Sequence, residues 1–95
     1  MDKKLFLGQF VVSTQGRDKD ETYVVVKVLN DKSVEVANGT TKSILKPKKK
    51  NVCHLHLTPF GCEEITKKLN SNIKINDQMV YHALHEYSKQ NKEAN

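Results

Sequence analysis

The 95-residue chain has no tryptophan, two cysteines, two prolines and four glycines. Two cysteines cannot build the disulfide framework of a small secreted scaffold, so reduced thiols and a cytoplasmic location are expected. No apolar run approaches the ~20 residues that a membrane-spanning helix needs. Near the start, Lys3 and Lys4 precede only Leu5-Phe6-Leu7, too short for a signal-peptide core. The chain also has no phosphate-binding glycine loop, no paired catalytic carboxylates and no convincing general base for either cysteine. It has no CxxC pair, and Cys53 is expected to point away from His54 and His56, which argues against zinc. A non-enzymatic protein without cofactor, metal or small-molecule substrate is the expectation.

What the chain does have is unevenly placed positive charge. Residues 1–50 hold eleven Lys/Arg against six Asp/Glu, while residues 51–95 hold five of each. The net charge of +5 therefore belongs entirely to the first half. A basic patch on one side of a small domain attracts polyanions, of which nucleic acid is the commonest.

The same half reads as strands. Residues 9–14 and 22–30 are rich in Val, Phe, Thr and Tyr, which favour pleated positions. In the second run Val24, Val26 and Val28 alternate with Tyr23, Val25 and Lys27, predicting a strand with one face in a core. A turn at 30–33 leads into Ser33–Ala37, with Val34 and Val36 inward. Asn38-Gly39 is a strong hairpin signal and predicts a fourth strand over Thr40–Leu45, with Ile44 in the core. Lys46-Pro-Lys-Lys-Lys-Asn51 is expected to interrupt the strands and lie exposed. Val52–Thr58 predicts a fifth strand, with Cys53, Leu55 and Leu57 inward and His54 and His56 outward. Five short strands joined by tight turns fit a small, nearly closed barrel.

Beyond Pro59 the pattern turns helical. A short helix is predicted over Cys62–Leu69, with Ile65 and Leu69 one turn apart. Ile73 and Ile75 are candidates to dock on the barrel. Asn76 is a good N-cap for a final helix with Asp77 in its first turn. Met79, Val80, Ala83, Leu84 and Tyr87 form a stripe suited to packing, and His82 and His85 are expected to face solvent. A frayed polar tail is expected over Lys89–Asn95. The expected division is a barrel over 1–58 and a helical extension over 59–95 packed on it.

Gly16 stands where the first strand gives way to a charged loop, and glycine there allows positive φ or close backbone approach to a partner. Arg17 can grip phosphate bidentately, whereas Lys19 acts as a point charge. Lys46, Lys48, Lys49 and Lys50 suit phosphate neutralisation, with Pro47 stiffening their base. His54 and His56 are placed to donate to phosphate or stack on a base. Asp18 is expected to make a local turn hydrogen bond or to pair with Arg17.

Gly8–Ser13, Gly16–Lys19, Tyr23–Val26, Asn38-Gly39, Lys46–Asn51 and His54-Leu55, taken in this order, resemble the KOW family of small RNA-binding barrels. The resemblance is closest to bacterial relatives of the fourteen-e-like large-subunit ribosomal proteins. It covers residues 8–57 and extends more loosely to Ile75–Leu84, which looks like the family's terminal helix. Asp20 departs from the pattern where relatives usually have a small residue such as glycine, and Asn38 where aspartate is usual. The resemblance implies a mainly β chain, an SH3-like (KOW) barrel of about five strands with one or two C-terminal helices, and no enzymatic activity. It also implies binding to structured, ribosomal RNA in translation, with ribosome or translation-factor association. The candidate RNA-binding set is Ser13, Gln15, Gly16, Arg17, Lys19, Lys46, Lys48, Lys49, Lys50, His54 and His56. The alternative is a protein-interaction module that engages a transcription or translation factor through the barrel edge or terminal helix.

Overall fold

The computed structural model describes residues 4–93. Five strands form one antiparallel sheet: β1 (Gln9–Ser13), β2 (Thr22–Asn30), β3 (Ser33–Ala37), β4 (Lys48–Asn51) and β5 (Leu55–Gly61). Their order is β4-β3-β2-β1-β5, so β4 and β5 are the edges of an open sheet. A single 3₁₀ turn, Val52–His54, links those two edge strands. Two helices complete the chain, α1 (Glu63–Asn70) and α2 (Asp77–Glu93).

Alternation along the strands divides the core in two. Val11, Tyr23, Val25, Val34, Val36 and Leu55 pack together on one face. Phe10 and Val24, one residue out of phase, meet Ile65 of α1 and Val80 of α2 on the other. The first half of β2 is thus buried on both faces, not on one as its alternation suggested. A run of consecutive valines is the pattern of a strand covered on both sides. The expected stripe of α2 packs as read, with Met79, Ala83, Leu84 and Tyr87 around Val80. Phe10 stacks on Tyr87 with ring centroids 4.4 Å apart.

Several local expectations are corrected. Thr40–Leu45 is not a strand; residues 38–47 form a loop held to α2. Ser43 Oγ donates to Asp77 Oδ2 (2.6 Å) and the Ile44 amide to Asp77 Oδ1 (2.8 Å). Gly39 lies at φ +80, and a Cβ there would come within 2.5 Å of the Asp77 carbonyl oxygen. The glycine is therefore required by conformation and by close approach to the helix. The lysine run does not interrupt the sheet: Lys48–Asn51 is β4, in register with Ser33–Val36. Cys53 lies exposed in the 3₁₀ turn, outside the core, because that turn breaks the alternation expected of a continuous strand. β5 runs on to Gly61, beyond the expected boundary at residue 58. Ile75 packs against the helical core, whereas Ile73 is exposed. Asn76 accepts the Met79 amide at 2.9 Å, the capping bond its position predicts. Helix α2 continues to Glu93 where fraying was expected from Lys89; residues 94–95 lie outside the described part. Among the described residues, no helix is long and apolar enough to cross a membrane.

Candidate nucleic-acid interface

The β1–β2 connection, residues 14–21, is folded on itself. The Lys19 amide donates to Gly16 O (3.2 Å), Asp20 to Ser13 O (2.8 Å) and Glu21 to Asp18 O (2.9 Å). Gly16 lies at φ +89, and a Cβ there would meet only Asp18 Oδ1, at an ordinary 3.5 Å. Conformation, not space, asks for glycine, so the tip stays open to an approaching partner. Asp20 sits at φ +75, a region that favours glycine and tolerates aspartate.

Asp18 anchors the loop. Its carboxylate accepts from Tyr23 Oη (2.7 Å), Ser13 Oγ (2.9 Å) and Lys50 Nζ (2.9 Å to Oδ2, 3.0 Å to Oδ1), with Lys48 Nζ at 3.3 Å. Lys50 Nζ also reaches Ser13 Oγ at 3.2 Å. Strand register explains the arrangement. Lys48 and Lys50 sit opposite Val36 and Val34, so they share the face on which Val11, Ser13 and Tyr23 are buried. Lys50 is therefore a buried residue, 8% exposed, with its charge matched inside the protein. A buried ammonium is tolerated only with such a partner. The sequence pattern gives Asp18 a structural role; its partners are Lys50, Tyr23, Ser13 and Lys48 in place of Arg17.

These contacts set the ionisation of the cluster. Burial opposes charge on Asp18, but the hydrogen bonds from Lys50, Tyr23, Ser13 and Lys48 outweigh it and hold the carboxyl well below the usual carboxylate range. Burial, the bond to Asp18 and the nearby negative charges of Asp18 and Glu21 push the Tyr23 phenol well above its ordinary value. A depressed carboxyl contributes stability above its unfolded-state value, about 3.9, that is lost as pH falls toward the folded value. A raised phenol contributes stability below its unfolded value, about 10, that is lost as pH rises beyond it. Thermal melts across pH should thus show two falling limbs, and Tyr23→Phe should make the alkaline one shallower. An alkaline limb unchanged in Tyr23→Phe would place its origin elsewhere.

The candidate residues separate into three groups. Ser13 and Lys50 are buried in the anchor, which removes them from the exposed surface. Gln15, Gly16, Arg17 and Lys19 are exposed on the anchored loop. Lys48 lies half-exposed beside it, and exposed Lys46 precedes Lys48. His54 joins this group, because the Thr14 amide donates to its carbonyl oxygen at 2.9 Å. Lys49 and His56 do not. Lys49 projects from the opposite face across from Glu35, and His56 pairs with Val12 at the other sheet edge.

Among the described residues, no carboxylate lies within ion-pair distance of Arg17, Lys19, Lys46 or Lys49. The anchor holds one carboxylate against two ammonium groups and so keeps a net positive charge itself. Among the described residues, no three metal-binding side chains gather. The network around Asp18 is the part that the sequence pattern conveys least. The only signal for it is the even spacing of Ser13, Asp18 and Tyr23 around the loop. No family model matches the chain, and no curated protein is significantly similar to it.

Proposed function

We propose that the chain is a non-catalytic RNA-binding module of the KOW type, with its five strands curled into an SH3-like barrel. Two features support the barrel. The face carrying Val11, Val25, Val34 and Val36 is fully buried although the helices pack on the other face. A lone sheet shields such a face by folding over on itself. The three-residue 3₁₀ turn between the two edge strands is a connection short enough to suit such closure.

The observation that carries RNA binding is the contrast within the cationic group. Asp18 neutralises Lys50 inside the protein and fixes the loop, leaving Arg17, Lys19 and Lys46 exposed without acidic partners. A preset loop costs less ordering entropy on binding, so its cations meet phosphates in a defined spacing. Recognition then rests on backbone shape and phosphate position, as suits structured RNA. Ribosomal RNA in the cytoplasm is the partner this reading favours.

Titrating a structured RNA at several salt concentrations tests the proposal. Wild-type affinity should fall steeply with salt. Alanine at Arg17, Lys19 and Lys46 should lower the slope of log affinity on log salt by about 0.7–0.9 for each phosphate left without its cation. Absence of binding at low ionic strength would overturn the proposal.

A further inference from the structure

Beside the 38–47 loop, α2 presents two exposed aromatic rings. Tyr81 is 52% exposed, and His85 one turn later is also exposed. Their rings lie nearly parallel, 16° between planes, with centroids 6.1 Å apart. Residues four apart share a helix flank, and this is the flank that begins with Asp77. Asp77 holds Ser43 and Ile44 of the 38–47 loop, and Gly39 of that loop lies against the Tyr81 backbone. The amides of Asn38 and Gly39 donate to the carbonyl oxygen of Lys42, which brings the Lys42 backbone to the turn that lies against Tyr81. Lys46 lies in the same loop, which runs to Pro47. Among the described residues, neither lysine is in an ion pair.

Exposed aromatic rings next to free cations are the combination that accepts an unpaired base, with stacking on the ring and neutralisation of the adjoining phosphates. We propose that Tyr81 and His85 form a stacking platform for an unpaired nucleobase of the bound RNA, with Lys42 and Lys46 holding its phosphates. The platform rests on the RNA-binding reading above and narrows it to RNAs that carry a single-stranded loop beside a paired stem. Tyr81 supplies the larger ring, and His85 backs it.

Two synthetic RNAs of equal phosphate count test this: a hairpin with an unpaired loop, and a blunt duplex. Tyr81→Ala keeps the Cβ that faces Gly39, so the loop packing survives, and circular dichroism melts verify the fold. The variant should bind the hairpin about 5- to 150-fold more weakly, the range for losing one stacked base. Its duplex affinity and salt slope should stay at wild-type values, and Tyr81→Phe should restore hairpin binding. Quenching of tyrosine fluorescence by the hairpin should shrink in Tyr81→Ala. If Tyr81→Ala and His85→Ala both bind the hairpin as wild type does, with the lysine-dependent salt slope intact, the platform is overturned and the RNA-binding reading stands. Failure of the wild type to bind either RNA at low salt overturns both.

Discussion

Asp18→Ala should destabilise the protein by about 3–5 kcal/mol, the usual cost of removing one partner from a buried ion pair. Four groups lose their acceptor at once: Lys50, Tyr23, Ser13 and Lys48. Most of the cost belongs to Lys50, whose ammonium is left buried without a countercharge. A domain of this length has a total stability of about 5–10 kcal/mol, so the variant should sit near the edge of folding. Chemical denaturation at neutral pH measures the loss. Asp18→Ala combined with Lys50→Met should regain a large share of it, because a long apolar side chain then occupies the space without a charge. If the double variant is no more stable than Asp18→Ala alone, the ion pair is not the source of the effect. Lys49→Ala, on the opposite face of the same strand, should change stability by less than about 0.5 kcal/mol.

Phe10→Ala should be comparably severe, at about 3–5 kcal/mol, the range for truncating a buried aromatic side chain. Phe10 is 5% exposed and lies between the sheet and α2, stacked on Tyr87. Its removal empties the junction between the strands and the C-terminal helices. For a chain of this size, such a change lowers the thermal midpoint by roughly 4–8 °C per kcal/mol. The informative readout is whether helix and sheet signals still melt together. A single shared transition at lower temperature is expected, since Val24, Ile65 and Val80 belong to the same packed cluster. Separate transitions in the wild-type protein would instead make the helices an independent unit.

The strands with apolar alternation were legible in the sequence because their side chains report burial directly. The final helix was legible through its stripe and its Asn76 cap. Strand β4 was not, and the reason is physical. Lysine disfavours strands, and the run shows no apolar alternation, yet Lys50 can enter the core because its hydrocarbon stem packs and its charge is met by Asp18. That partner lies 32 residues away in sequence, and no local pattern encodes a pairing of that range. The 38–47 loop escaped for a similar reason. Asn38-Gly39 places Gly39 at positive φ but is not the hairpin expected of it, because Asp77 captures Ser43 and Ile44 and holds the chain beyond it as a loop. Of the candidate site, the Gly16 loop was legible through its glycine and charges. The division of the lysines into buried and exposed members was not, because it depends on which way each one points.

Placing the lysine run in an edge strand has a consequence for self-association. Two identical copies can zip together where unpaired strand edges meet, and lysines along an edge are a known deterrent. Here two β4 edges brought side by side would set Lys48 and Lys49 of one copy against those of the other. Such repulsion would oppose use of that edge as a template for a larger sheet. A polyanion bound along the run, as in the reading proposed above, would cancel the same repulsion.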